Sequence, residues 1–130
     1  MEPACSLLVV DDDEEFLEIL VRRFRRRDVR TAAATTPEAA IEAAEGQEFH
    51  VAIVDRSLPR QDGLELMLLL RDRQPKLRVI LLSGHGDERH VNEGLNRGAF
   101  EYLVKPCSLA DLEAAVRRAF RSATAEDACT

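Results

Sequence analysis

Five short aliphatic runs alternate with five stretches of helical period, and this alternation restricts the fold more than any other feature. The runs are LLVV (7–10), VRTAAA (29–34), HVAIV (50–54), RVILL (78–82) and YLV (102–104). The second is the weakest, since alanine dominates it. Continuous Val, Ile and Leu over four or five residues suit strands buried on both faces, as in a parallel sheet. Between them lies EEFLEILVRRFRRR, in which Phe16, Leu17, Ile19, Leu20, Val21 and Phe24 share one helical stripe. TPEAAIEAAEG opens on Thr36 as an N-cap with Pro37 at the first helical position, and closes on Gly46. GLELMLLLRDR stops before Pro75, and DERHVNEGLNRG carries an internal Gly94 that weakens a helix. SLADLEAAVRRAF starts with Ser108 and Asp111 in a capping-box-like pair. Right-handed crossovers then place helices on both faces of an open α/β sheet.

The 130 residues make one domain, and 45% hydrophobic content supplies an aliphatic core, for there is no Trp. We expect the domain to occupy 1–121 and SATAEDACT (122–130) to be a flexible tail or linker stub, with no further domain after residue 121. A net charge of −6 argues against direct nucleic-acid binding, which needs a basic surface. No apolar run reaches membrane-spanning length, and MEPACS lacks the basic start of a signal peptide. Cys5, Cys107 and Cys129 form no C-x-x-C pair, which favours reduced thiols in the cytoplasm.

In an open parallel sheet, ligands bind beyond the carboxyl ends of the strands. Those ends carry Asp11 and Asp12, Asp55, Ser83 and Lys105. Three carboxylates at one edge cannot all ionise cheaply without a cation. A hard divalent ion answers this; Mg²⁺ fits, and Mn²⁺ can stand in for it. A carboxylate nucleophile, a metal, an ammonium and a hydroxyl are the parts of phosphoryl transfer. After Asp55, RSLPRQDG turns at Pro59 and Gly63, and Gly63 is expected to supply an unusual backbone angle.

These motifs resemble the receiver domain of bacterial two-component response regulators. LVVDDD is similar to the acidic-pair strand, and VDRSLPRQDGLEL to the phosphoacceptor loop. VILLSGHGD resembles the Ser/Thr switch strand, and GAFEYLVKP the aromatic switch with its Lys-Pro pair. The resemblance covers residues 6 to about 121. It implies a flavodoxin-like (βα)5 doubly wound sheet of strand order 2-1-3-4-5. It implies that Asp55 accepts a phosphoryl group from the phosphohistidine of a histidine kinase or phosphotransfer domain. Asp11, Asp12, Asp55 and the Ser57 backbone carbonyl then hold the metal, and Lys105 pairs with the phosphoryl group. Ser83 and Tyr102 act as switch residues. Ser57 and His85 occupy positions that tune phosphoryl lifetime. The surface of the fourth helix, fifth strand and fifth helix changes, to dimerise or to meet an output partner. In catalysis the domain acts only on its own phosphorylation and dephosphorylation.

Three positions depart from the pattern: Leu58 replaces a frequent Met, Arg56 puts a large cation at the site mouth, and Cys107 replaces a frequent Phe. Simpler roles suit other residues. Asp13, Glu14 and Glu15 favour a helix N-terminus by about 0.3–1 kcal/mol each. Asp62 is a turn residue, and His50, His85 and His90 lack ligand spacing. Cys107 is a small apolar filler, and the arginines of 22–27 are a solvated helix face or, more sharply, a kinase-docking surface. Two other functions are open to the sequence. A haloacid-dehalogenase-like phosphatase would use Asp11 and Asp13 as D-x-D, but Glu15 stands where Thr or Val belongs. A receiver-like interaction domain would never use phosphate.

Overall fold

The computed structural model describes residues 4–128. The elements run β1 (Ser6–Val10), α1 (Glu14–Arg25), β2 (Arg30–Ala34), α2 (Pro37–Gly46) and β3 (Val51–Asp55). They continue α3 (Gly63–Arg73), β4 (Arg78–Ser83), α4 (Glu88–Asn96), β5 (Glu101–Val104) and α5 (Leu109–Ala128). The five strands are parallel in the order β2-β1-β3-β4-β5. Strand then helix, five times over, is what the alternating pattern predicts.

Side chains alternate across each strand, so the sheet divides the core in two. Leu8 and Val10 of β1, Ala52 and Val54 of β3, and Val79 and Leu81 of β4 face one side. There they meet Ala40 and Ala44 of α2 and Leu66, Met67 and Leu70 of α3. Leu7, Val9, Val51, Ile53, Ile80 and Leu82 face the other side, against Leu17, Leu20 and Phe24 of α1 and Leu112, Ala115, Val116 and Ala119 of α5. Each fully buried Leu or Ile contributes about 1.5–3 kcal/mol relative to exposure. The exception is α4, whose one buried residue is Gly94.

Local signals start the helices. Asp13 Oδ1 accepts from Phe16 N at 3.2 Å, Thr36 Oγ1 from Ala39 N at 3.1 Å, and Ser108 Oγ from Asp111 N at 3.0 Å. Asp62, read as a turn residue, also caps α3 by accepting from Leu64 N at 2.9 Å.

Two expectations change. Residues 122–128 are helical and continue α5. The alanine-rich segment favours helix, Ala123 is buried, and Ser122 Oγ accepts from Arg78 Nε at 3.1 Å. The rest of the expected tail, with Cys129, lies outside the described residues. Gly63 does not adopt the left-handed conformation either; among the described glycines Gly98 does, at φ +113°. Gly63 is needed for close approach. A Cβ there would stand 2.2 Å from the Asp55 carbonyl oxygen and 2.7 Å from Arg56 Cα. Gly63→Ala therefore forces α3 off the end of β3, and should lower stability in urea unfolding by about 1–3 kcal/mol. An unchanged midpoint would show that this approach does not hold the strand end.

Candidate functional site

Strand register brings the acids together. Val10 pairs with Val54, so Asp11 and Asp55 follow side by side on adjacent strands. Asp55 pairs with Leu82, one residue before Ser83, and Lys105 N donates to Ser83 O at 2.8 Å. The carboxyl edges of β1, β3, β4 and β5 thus present Asp11, Asp55, Ser83 and Lys105 in spatial order. The Lys105–Pro106 peptide bond is cis.

Asp11 is 2% exposed and Asp55 4% exposed. Lys105 Nζ lies 3.4 Å from Asp11 Oδ2 and 3.4 Å from Asp55 Oδ2. The far oxygens are tied by backbone: Asp11 Oδ1 accepts from Asp13 N, and Asp55 Oδ1 from Ser57 N, both at 2.9 Å. The ammonium also sits 5.7 Å from the centre of the Phe16 ring. Burial raises the Asp11 pKa, and the charge of Asp55 adds to that; the Asp13 N–H and Lys105 offset only part. Burial works to lower the Lys105 pKa, but Asp11 and Asp55 outweigh it and hold the ammonium above its ordinary value.

Asp12 is exposed, yet its carboxylate lies with those of Asp11 and Asp55, with one oxygen from each residue within 4.8 Å of the others. Three carboxylate oxygens against one ammonium leave negative charge uncompensated. An all-oxygen donor set of that size fits a hard divalent cation such as Mg²⁺. These three residues fit the ion on chemistry and reach.

Ser83 is fully buried, and its Oγ accepts from His85 N at 3.0 Å. Ser57 and His85 are exposed beside the site. Tyr102 stands outside the acid cluster, on the side of the sheet that faces α4. Its hydroxyl donates to His85 O at 2.8 Å. A Cβ on Gly94 would meet its ring at 2.8 Å, so α4 lies directly over it. The thiol of Cys107 is raised by burial and by Asp111, which suits a filler.

Arg56 does not sit as a cation at the site mouth. It is 8% exposed and bonds to α4: Nη1 donates to His90 O at 2.9 Å, and Nη2 pairs with Glu93. Strand alternation held this signal, because the residue after Asp55 must leave on the opposite side from it. The Gly94–Tyr102 contact had no such signal, since it depends on where α4 comes to rest. The arginine cluster also divides. Arg23 and Arg27 pair with Glu113 of α5, while Arg22, Arg25 and Arg26 line a groove with Leu17 and Val21.

The family model for the response regulator receiver domain matches residues 7–117. The chain belongs to this family. Receiver domains are signalling domains, and curated relatives agree. The transcriptional activator protein PfeR of Pseudomonas aeruginosa is 40% identical over 112 residues, covering 86% of this chain and 36% of its own length. The photosynthetic apparatus regulatory protein RegA of Rhodobacter capsulatus is 35% identical over 107 residues, covering 82% of this chain and 58% of its own. This receiver domain therefore spans well under two thirds of either relative. A response regulator from Burkholderia pseudomallei, solved with a phosphorylated aspartic acid, a calcium ion and citrate, matches it at TM-score 0.81 and 30% identity. That match covers 96% of this chain and 74% of the other. Among the described residues no helix is long and apolar enough to cross a membrane.

The raised pKa of Asp11 sets a pH dependence. Its contribution to stability is present in full below the ordinary aspartate value of 3.8 and is lost as pH rises through the higher folded-state value. Once ionised, Asp11 therefore weakens the metal-free fold. Asp11→Asn should unfold at higher temperature than the wild type in chelator. Mg²⁺ at about 100 times its dissociation constant should stabilise the wild type by about 2.7 kcal/mol at neutral pH. This gain should shrink as the carboxylates protonate, and should be smaller in Asp11→Asn. Thermal melts with and without Mg²⁺ across pH measure all of these effects; a pH-independent gain would contradict this origin.

Proposed function

We propose that Asp55 is a phosphoacceptor and that the domain switches its α4-β5-α5 surface when Asp55 is phosphorylated. The observation that carries this is the buried Asp11–Asp55 carboxylate pair sharing one ammonium at the carboxyl edge of the sheet. The donor is a phosphohistidine on a histidine kinase or phosphotransfer domain. A carboxylate oxygen of Asp55 attacks phosphorus as the N–P bond breaks, and the imidazole leaves with a proton from solvent. Asp11, Asp12, Asp55 and the Ser57 carbonyl hold Mg²⁺, which when bound neutralises phosphoryl charge. Lys105, already ion-paired to both buried acids, pairs with the transferred group. The phosphorylated aspartate in the related Burkholderia structure supports the same chemistry here.

Ser83 and Tyr102 are the switch residues on this reading. The Ser83 hydroxyl leaves its bond with His85 N to meet a phosphoryl oxygen. Ser57 and His85, both exposed beside the site, set how easily water reaches the aspartyl phosphate. Leu95 and Val104 are exposed on the α4-β5-α5 surface, 42% and 41% respectively, and suit dimerisation or an output partner. The basic groove on α1 suits docking of the phosphodonor. Among the described residues Cys5 and Cys107 are free thiols, with burial pushing the pKa of Cys5 up to about 11, and they fit a reducing cytoplasm. A phosphatase of the dehalogenase type would use Asp13 as the second acid of its D-x-D, but here Asp13 is exposed and caps α1.

Acetyl phosphate in Mg²⁺ should label the wild type through an acid-stable, hydroxylamine-labile bond. Asp55→Asn and chelation should each reduce the label to background. Label that persists on Asp55→Asn would sink this assignment, and a wild type that never labels would favour a phosphate-independent interaction domain.

A further inference from the structure

Arg56 is the one arginine among the described residues whose side chain is nearly buried, and its side-chain partners, His90, Glu93 and Asp62, all lie outside the acid cluster. Its guanidinium joins three pieces of structure. Nη1 donates to His90 O at 2.9 Å, and Nη2 pairs with Glu93, both on α4. Nε lies 3.4 Å from Asp62, the cap of α3. The Cζ atom is 6.0 Å from the centre of the Tyr102 ring. Burial alone would lower the pKa of this group. The Tyr102 hydroxyl, Glu93 and Asp62 outweigh it, so the cation is held firmly charged.

The backbone of Arg56 is equally constrained. Its N–H donates to Leu82 O of β4, and its carbonyl accepts from Gly63 N of α3, both at 2.9 Å. Asp55 Oδ1 accepts from Ser57 N across it. Arg56 is thus the middle residue of a turn closed by the Asp55 carboxylate. A change at that carboxylate alters the bond closing the turn, and the side chain leaving the turn's centre ends on α4. Tyr102 occupies a slot formed by the same parts. Gly94 covers its ring, Leu81 is its register partner on β4, the Arg56 guanidinium lies 6.0 Å from the ring centre, and His85 O takes its hydroxyl.

We propose that Arg56 is a positioning residue that ties α4 to the phosphoacceptor strand, holds Tyr102 in its slot, and carries the state of Asp55 to the α4 surface alongside Ser83. This rests on the phosphoacceptor role of Asp55. α4 brings no large buried side chain of its own, so a charged tether governs its position more than it could on α3 or α5.

The chain has one Tyr and no Trp, so its intrinsic fluorescence reports Tyr102 alone. The experiment adds beryllofluoride and Mg²⁺ to the full chain and follows that emission, with acetyl phosphate labelling run in parallel. The variants are Arg56→Met, Arg56→Lys and Glu93→Gln. Glu93 is half-exposed, so Glu93→Gln tests the tether if Arg56→Met fails to fold. Labelling should persist in every folded variant. The ratio of slotted to unslotted Tyr102 should fall by about fivefold or more in Arg56→Met, as expected for losing bonds to a charged group. Glu93→Gln should lose part of the response, and Arg56→Lys, which keeps the charge without the fork, should recover part of it. A labelled set of variants whose tyrosine response equals the wild type would overturn the tether alone. A wild type that takes no label would overturn the phosphoacceptor reading and the tether with it.

Discussion

Two buried carboxylates held beside one ammonium organise the functional end of this molecule. Asp11 and Asp55 repel each other in a poorly solvated place, and Lys105 spans them at equal distance. Neither acid tolerates that position without help, so each also takes a backbone N–H from the loop that follows it. The loops after β1 and β3 are therefore shaped by the acids they serve. Gly63 completes the arrangement by letting α3 press against the carbonyl of Asp55. A charge imbalance of this kind is poor for stability and useful for binding a cation.

Much of this was legible in the residues. Short aliphatic runs and segments of period 3.6 alternate cleanly, and the buried strands read as unbroken runs because both faces are covered. Asp11, Asp55, Ser83 and Lys105 could be placed at one edge since strand ends converge in such a sheet. Thr36 and Ser108 cap helices as their chemistry requires. The five acids at the start separate into two jobs, with Asp11 and Asp12 at the site and Asp13 as the cap of α1.

Other features depend on tertiary placement. Gly63 signals a glycine requirement, but sequence cannot distinguish backbone angle from close approach; only the neighbouring Asp55 carbonyl does. The end of α5 was misplaced because small polar residues suit a tail as well as a helix. Ala123 is buried, in keeping with the helix over 122–128. The arginines of α1 look like one patch in the chain, yet Glu113 on a distant helix claims two of them. Arg56 is the sharpest case: strand alternation gives the side on which it leaves, but its partners on α4 and at the cap of α3 come from tertiary placement alone.

The thin underside of α4 has a thermodynamic consequence. α1, α3 and α5 each place several large aliphatic side chains in the core, whereas α4 buries only a glycine. Displacing α4 would bring little of its own hydrocarbon into contact with water. Heat-capacity change follows newly hydrated apolar surface. A shift of α4 that keeps Tyr102 and Leu81 covered therefore carries a small heat-capacity term, and its balance drifts gently with temperature instead of curving as global unfolding does. On the proposed reading, the α4 surface can stay near its working balance over a range of temperatures in which the stability of the sheet beneath it changes far more.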